Sequence, residues 1–365
     1  MAISWPQALA WRLRRQLLEP VGDGSAADVV RALGPVPTQN DVAELAVGVR
    51  RRSSRPGDVT QALADGELVM TFAFRGAVHL MTPEDAGTYL ALRADTRMWE
   101  LPSWQTYYGL APSDWPDFRV TVQDDLAGGP LTLPELTAAV TSRPAYRGLD
   151  VTWTLVKALA WQGDLCFGPP RDGSSTLQRL DTNQRWTGLL DVDEAGPRAI
   201  EAYVRAYGPT TADHVHRWLG EGLGAGRKRL RSWVAGFGDR LAEVDVEGEP
   251  AIILRDDLAE LSATPPTTAV RLLPRYDQWV LGPGTADTRI VPPGHRQEVS
   301  RGANVVLVGG VVSGTWAPAG DEVGVTWFPE APPVAPDELA VEVQRVASLV
   351  RRQSAPLLSG SQDRW

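Results

Sequence analysis

One short pattern occurs three times along the chain, and it constrains the fold more than any other feature. Each copy has a Gly-Pro breaker, then a threonine, then an acidic residue three positions later. These pairs are Thr38 with Asp41, Thr132 with Glu135, and Thr210 with Asp213. A threonine with a carboxylate three residues later is typical of a helix N-terminus, because the two side chains accept hydrogen bonds from backbone N–H groups of the first turn. The repeat therefore predicts three equivalent helix entries.

Each predicted entry is followed by a second helical segment and then by short β-type runs around a glycine, at residues 66–80, 163–167 and 241–254. Two helices followed by a two-stranded hairpin is the plan of a winged helix, in which the second helix can lie in a DNA groove while the wing touches phosphates. A single winged helix serves protein interaction about as often as DNA binding. Three copies in one chain favour nucleic-acid binding.

The composition changes after residue 261. Thr264-Pro265-Pro266 is a linker, and the runs that follow are rich in valine, with Gly309-Gly310 as a hairpin turn. A terminal helix is expected over residues 337–352. We therefore predict an α+β protein of three tandem winged-helix units and a C-terminal β-rich domain, C-shaped with a concave DNA-binding surface. The predicted domains are residues 1–115, 116–192, 193–261 and 262–365.

The net charge of −9 argues against a general nucleic-acid coat, but a local basic groove remains possible because the placement of charge matters more than its sum. Basic residues cluster at three places. They are Arg12, Arg14 and Arg15; Arg50, Arg51, Arg52 and Arg55; and Arg227, Lys228, Arg229 and Arg231. Each cluster taken alone is as readily a solvated helix face.

Several classes of protein are disfavoured. The chain has one cysteine, Cys166, so an internal disulfide and a cysteine-rich zinc site are excluded. His214 and His216 are two residues apart and would lie on different faces of a helix, so we expect no metal and no cofactor. The sequence has neither a long apolar run nor a signal-type N-terminus, so we expect a cytoplasmic protein without membrane contact.

Five stretches together resemble the AlkZ/YcaQ-like family of winged-helix DNA glycosylases. The strongest is residues 272–282, LLPRYDQWVLG. The others are residues 74–80 (FRGAVHL), 207–209 (YGP), 218–220 (WLG) and 310–316 (GVVSGTW), and all five occur in the family's order. The resemblance covers nearly the whole chain.

The resemblance implies a monofunctional DNA glycosylase, acting as a monomer on double-stranded DNA that carries an alkylated purine. Such enzymes release N7-alkylated purines, including bulky adducts and crosslinks left by DNA-alkylating natural products. Because the alkylated base is a cationic leaving group, its departure needs a positioned water and negative potential beside the sugar more than a general acid.

The family carries these groups on a tripeptide, QΦQ or QΦD (Φ being apolar), before the helix that we predict over residues 43–52. Two frames remain open in this chain. The gapless frame aligns Thr38, Gln39 and Asn40, whereas a shift of one residue aligns Gln39, Asn40 and Asp41. We favour Gln39 and Asp41 as the catalytic pair, with Asn40 adjoining, because a carboxylate polarises water and stabilises positive charge. The alternative is that Thr38 and Asp41 only cap a helix.

Further residues are expected to contact the substrate or DNA. They are Thr38, Arg50, Arg51, Arg75, His79, Arg227, Lys228, Arg229 and Arg231. His79 is equally well explained as a hydrogen-bonded structural histidine, and Asp277 as the cap of a turn. Five aromatic residues could stack on a large lesion or pack in the core: Trp99, Trp104, Tyr107, Tyr108 and Trp115.

Two other functions compete with the glycosylase. One is a non-catalytic DNA-binding protein, either a lesion sensor or a transcription regulator. A regulator is usually a dimer with one strongly basic recognition helix per protomer, which three unequal repeats in an acidic chain match poorly. The other is a metal-dependent hydrolase, which the lack of a His, Cys and carboxylate cluster disfavours.

Overall fold

The computed structural model of the protein describes residues 2–38, 42–320 and 322–351 and is a mixture of helices and small sheets. Within these residues the α-helices, in chain order, are α1 Trp5–Arg15, α2 Ala26–Leu33, α3 Val42–Gly48, α4 Asp58–Ala64, α5 Pro83–Ala94, α6 Pro102–Tyr108, α7 Trp115–Asp125, α8 Leu133–Thr141, α9 Trp153–Trp161, α10 Val192–Tyr207, α11 Ala212–Val215, α12 Arg227–Gly236, α13 Leu258–Ala263, α14 Gln278–Leu281, α15 Arg296–Ser300 and α16 Pro336–Arg351. A π-helical turn, His216–Glu221, continues α11.

The strands form four sheets. In chain order they are β1 Ala2–Ile3, β2 Val36–Pro37, β3 Val69–Phe72, β4 Val78–Met81, β5 Leu131–Thr132, β6 Leu165–Arg171, β7 Ser174–Arg179, β8 Leu241–Val246, β9 Glu249–Leu254, β10 Val270–Leu273, β11 Asn304–Val308, β12 Val311–Ala319 and β13 Glu322–Trp327. The sheet orders are β2-β4-β3, β5-β7-β6, β1-β8-β9 and β10-β11-β12-β13. The predicted order of helices followed by an antiparallel hairpin is present at all three repeats, ending in β3–β4, β6–β7 and β8–β9.

One apolar core runs through the three repeats. Its buried side chains extend from Ala26 to Leu254, so the helices and hairpins of successive repeats share an interior. A second core lies between the four-stranded sheet, α1, α3 and α16. There Glu342 of α16 accepts a hydrogen bond from the backbone of Leu272 at 3.0 Å, which fixes the helix on the edge strand β10.

The N-terminal strand packs against the third repeat and not within the predicted domain of residues 1–115. Strand β1 pairs in parallel with β8 of the third repeat, with Ile3 opposite Val246. Ile3 and Trp11 are buried against that sheet in a cluster of their own. Helix α1 therefore packs on two sides, with Ala8 and Trp11 on this sheet and Leu9 and Leu13 in the second core.

The three predicted helix caps have different outcomes. Thr132 and Glu135 form the predicted capping box, with the Glu135 carboxylate accepting from the Thr132 backbone at 2.8 Å. The prediction for Thr210 is wrong, because its backbone pairs with Ile252 and the neighbouring Thr211 caps α11. The partner predicted for Thr38 lies outside the described residues.

The other predicted elements can be compared directly. Helix α3 ends at Gly48, so the helix predicted over residues 43–52 is too long. The backbone of Arg50 and Arg52 bonds instead with Gly22. The predicted C-terminal helix is confirmed as α16. The Gly309-Gly310 turn is confirmed between β11 and β12, where both glycines have positive φ, 57° and 92°.

Among the residues that the structure describes, no helix is both long enough and apolar enough to cross a membrane.

A tight crossing of α10 and α12 gives a test of this packing. A Cβ on Gly196 would lie 2.3 Å from Trp233, whereas a Cβ on Gly236 would have no neighbour within 4 Å. We expect Gly196→Ala to lower the free energy of unfolding by about 1–3 kcal/mol, because overpacking outweighs the gain in helix propensity. Gly236→Ala, also in a helix, should be neutral or stabilising. Urea titration of both variants measures this; equal stability of the two would show that α12 does not lie on Gly196.

Candidate active site and nucleic-acid interface

The candidate catalytic tripeptide follows strand β2 directly. At its near side Thr38 is buried, its backbone N–H donates to Val78 O at 3.0 Å, and its hydroxyl donates to the same oxygen at 3.2 Å. At its far side the chain re-enters helix α3 at Val42. Gln39, Asn40 and Asp41 lie outside the described residues, so their roles stay predictions.

The backbone before the tripeptide is held by two buried polar side chains. The side-chain amide of Gln278, at the start of α14, donates to Pro35 O. The Tyr207 hydroxyl lies 3.4 Å from Gln278 Oε1 and 3.5 Å from Leu33 O. Burial raises the pKa of Tyr207 well above its usual value, so the hydroxyl stays protonated and can donate. The approach to Thr38 is therefore fixed from the interior.

The backbone after the tripeptide is held by an ion pair. Arg50 lies just beyond α3, and its guanidinium forms two hydrogen bonds with Asp277, both 2.7 Å, with both side chains 0% exposed. Arg50 also donates to Ala46 O at 2.8 Å and to Gln16 O at 3.1 Å. Asp277 in turn caps α14 by accepting from Trp279 N at 2.8 Å, as expected of it. We call Arg50, Tyr207, Asp277 and Gln278 the interior network.

The interior network corrects one prediction. Arg50 was expected to contact DNA, but its side chain is fully buried and its guanidinium is bonded within the fold. The Arg51 side chain is also bonded within the protein. It donates a hydrogen bond to Gly24 O at 2.9 Å and forms an ion pair with Asp58. The basic run of residues 50–52 is therefore mainly a structural element, and Arg12 of the first cluster is buried as well.

Breaking the ion pair should be costly. Arg50→Met leaves the Asp277 carboxylate buried without its cation, and we expect a loss of about 3–5 kcal/mol in the free energy of unfolding. Arg50→Met combined with Asp277→Asn should recover part of this loss, because asparagine is neutral and still caps α14.

The matched control is Arg14→Met, which removes the exposed Arg14–Glu260 ion pair and should cost less than about 1 kcal/mol. Denaturant unfolding of the three variants decides the matter. A loss in Arg50→Met no larger than in the control would contradict the assigned role.

His79 lies on β4, directly opposite Pro37. Its ring is buried, and Nδ1 donates to Ala77 O at 3.0 Å, since a carbonyl oxygen can only accept. Burial lowers its pKa from 6.5 to about 4. The ring is therefore neutral at pH 7, and its described hydrogen bond is the structural one.

This buried histidine predicts a pH dependence of stability. Because the folded-state pKa lies below the unfolded value, the unfolded chain takes up the proton first as the pH falls. Stability is then lost between pH 6.5 and about pH 4, by up to roughly 3 kcal/mol. His79→Asn keeps a donor near Ala77 O but cannot titrate, so its free energy of unfolding should fall less steeply over that range. Parallel slopes for variant and wild type would exclude His79 as the cause.

Arg75 lies at the tip of the β3–β4 hairpin, in the turn Phe74–Gly76. Its side chain is 56% exposed and lies 3.7 Å from Glu221. It faces a small cavity that is also lined by Arg217 and Tyr276. Of the predicted contact residues outside α12, Arg75 is thus the one that the structure leaves accessible.

The third basic cluster lies on the first turns of α12. Arg227, Lys228, Arg229 and Arg231 are all exposed. Two of them are paired, Arg227 with Asp213 at 3.2 Å and Arg229 with Asp95. Lys228 and Arg229 line an open cleft of about 680 Å³. This cluster remains available to an anionic partner, though acidic neighbours offset part of its charge.

The aromatic stretch is divided between core and surface. Trp99 and Trp115 are buried, with ring centroids 6.0 Å apart. Trp104 and Tyr108 are half-buried, and Tyr107 is 70% exposed on α6. Core packing thus accounts for two of these five residues. Among the described residues, no three His, Cys, Asp or Glu side chains are placed to hold a metal ion.

Sequence reasoning missed Tyr207 and Gln278, which hold the backbone beside the tripeptide. Both lie inside stretches that carry the family resemblance, but their residue types gave no sign of these contacts. Tyr207 and Gln278 are about 70 residues apart in the chain, and Gln278 and Pro35 about 240.

Comparison with known proteins gives the class. A family model described as DNA glycosylase AlkZ-like matches residues 30–349. An interstrand DNA cross-link repair glycosylase from Streptomyces sahachiroi is 38% identical over 366 residues, covering 96% of this chain and 98% of that protein. The solved structure of the Streptomyces sahachiroi DNA glycosylase AlkZ matches with a TM-score of 0.90 at 38% identity, over 98% of this chain and 99% of that one.

These full-length matches define a DNA glycosylase of mixed helix and sheet. The chain belongs to the AlkZ-like DNA glycosylase family.

Proposed function

We propose that the protein hydrolyses the N-glycosidic bond of N7-alkylated purines in double-stranded DNA, with bulky adducts or crosslinks from DNA-alkylating natural products as its substrates. The observation that carries this proposal is the full-length 38% identity to a glycosylase that is named for interstrand cross-link repair. The biological setting would be self-resistance or repair of alkylation damage.

The chemistry follows from the leaving group. An N7-alkylated purine is cationic, so the bond breaks as positive charge moves to the sugar, and a nearby carboxylate stabilises that charge. In this proposal Asp41 orients the attacking water and offsets the charge, Gln39 holds the water or the deoxyribose, and Asn40 adjoins them. The gapless frame, with Thr38 and Asn40 as the working pair, is the alternative. Against it, the Thr38 hydroxyl already donates to Val78 O. Neither frame needs a metal or a cofactor.

We propose that the three helix–hairpin repeats are winged helices and that the chain forms a concave surface for DNA. The domains that follow the first would be residues 116–192, 193–261 and 262–365. Strand β1 and helix α1 would belong with residues 193–261. The α12 cluster and Arg75 would contact phosphates, and the protein would act as a monomer. Support comes from the repeated order of helices and antiparallel hairpins and from the exposure of these cations.

The decisive experiment measures single-turnover base release and melting temperature side by side. The substrate is a duplex with one N7-alkylguanine, and abasic sites are revealed by heat or base. The variants are Thr38→Ala, Gln39→Ala, Asn40→Ala and Asp41→Asn. We expect Gln39→Ala and Asp41→Asn to slow release by about 10²–10³, because each removes a preorganised group, with melting temperature almost unchanged.

Other outcomes have definite meanings. The gapless frame is correct if Thr38 and Asn40 prove essential for base release while Asp41→Asn lowers only stability. The expected loss in the free energy of unfolding is then that of a helix cap, roughly 0.5–2 kcal/mol. No release by the wild type from either an N7-alkylguanine or a bulky-adduct duplex would sink the proposed substrate class.

A further inference from the structure

The tip of the β3–β4 hairpin is fixed in an unusual conformation. Arg75 has φ 51°, the left-handed region that a non-glycine residue adopts at a cost in free energy. The preceding Phe74 packs on Trp218 with ring centroids 4.4 Å apart. A Cβ on Gly222 would lie 2.6 Å from Phe74, so the hairpin fits closely against the third repeat. Arg75 is therefore presented from a rigid backbone.

Three more cations from other elements lie near this tip or near one another. A Cβ on Gly76 would lie 3.6 Å from Lys157 Nζ, on α9 of the second repeat. Arg93, at the end of α5, is close enough to Lys157 for its charge to lower the lysine pKa. Arg217, in the π-helical turn, lines the same cavity as Arg75. We call Arg75, Arg93, Lys157 and Arg217 the junction cations, because they meet where the three repeats adjoin.

The junction cations have few anionic partners. Within the described parts of the chain, Lys157 and Arg217 form no hydrogen bond or ion pair, and Arg217 Nε is buried without a partner. Arg93 donates to the sulfur of Met98 at 2.9 Å and lies 4.1 Å from the Trp161 ring. The Arg75–Glu221 contact is long and exposed, and such pairs are weak.

This arrangement is unfavourable without a ligand. Burial lowers the pKa of Lys157, and the nearby Arg93 lowers it further. The chain has 45 acidic residues against 36 basic ones, and most of its other arginines are paired with carboxylates. Cations placed together with one long carboxylate contact among the described residues therefore indicate an anionic ligand.

The ligand is extended rather than small. The cavity beside Arg75 and Arg217 measures about 140 Å³, well below the roughly 300–1,000 Å³ of pockets that enclose small molecules. Only two of the four cations line this cavity, and the other two come from α9 and α5. Together they combine the forks of arginine with the compact charge of lysine.

We propose that the junction cations bind the phosphodiester backbone of the DNA strand and form a phosphate-binding site distinct from the α12 cluster. This inference rests on the proposed function, since it assumes that DNA is the polyanion. Lys157 and Arg217 would contact phosphates directly, Arg75 would exchange its weak contact with Glu221 for a phosphate, and Arg93 would add to the local positive potential.

The test measures equilibrium binding to a duplex with a tetrahydrofuran abasic analogue at several salt concentrations. Lys157→Met removes the charge, which lies 5.4 Å from the centroid of the Phe72 ring, and keeps an apolar side chain of similar length. Arg75→Ala removes an exposed guanidinium. Each should weaken binding roughly 10- to 100-fold and reduce the slope of log affinity against log salt by about 0.9. Arg147→Met, at an exposed arginine outside the junction, should leave that slope unchanged.

Melting separates this role from a structural one. Removing a half-buried, unpaired cation relieves its desolvation, so Lys157→Met should melt no lower than the wild type in the absence of DNA. A lower melting temperature with unchanged DNA affinity would overturn the inference in favour of a structural role. Unchanged affinity and salt slope in both junction variants would overturn it equally.

The chain's two lysines allow a direct observation. After reductive ¹³C-methylation, the Lys157 signal is identified by its loss in Lys157→Met, and its pKa can be followed by NMR. We expect a pKa below that of free lysine, which rises when the abasic duplex binds. A pKa that does not change on DNA binding would contradict the proposed phosphate contact. Because binding is measured without turnover, absence of base release would sink the proposed function alone.

Discussion

The buried ion pair between Arg50 and Asp277 is the interaction on which the arrangement of the site depends. Two charges removed from water destabilise a fold unless they are paired and their remaining donors and acceptors are bonded. Here the guanidinium reaches a carboxylate and two backbone carbonyls, and the carboxylate also caps a helix. The pair therefore fixes the ends of α1 and α3 relative to the C-terminal sheet.

Tyr207 and Gln278 complete this constraint on the other side of the candidate tripeptide. They hold Leu33 and Pro35, while Arg50 holds the chain beyond α3. The described residues on both sides of the tripeptide are thus fixed by side chains from distant parts of the chain. Catalysis through preorganised groups requires such rigid support, because the polar groups must not reorient as charge develops.

Electrostatics explain how an acidic protein can bind a polyanion. Many exposed arginines are neutralised by neighbouring carboxylates, as with Arg227 and Asp213, or Arg229 and Asp95. Positive potential therefore depends less on the number of cations than on which of them lack a partner. The clusters most visible in the sequence are partly structural or paired, whereas Lys157 and Arg217 are isolated in sequence and unpaired among the described residues.

The sequence by itself determined the local elements and the family. Gly-Pro breakers, the Thr132 capping box and the valine-rich strands depend on neighbouring residues, so their signals can be read along the chain. The tertiary structure alone decided which charges are buried, that β1 pairs with β8, and that Lys157 lies beside the hairpin tip. The physical reason is range: caps and turns form within about four residues, whereas burial and ion pairing are set by side chains that folding brings together from hundreds of residues away.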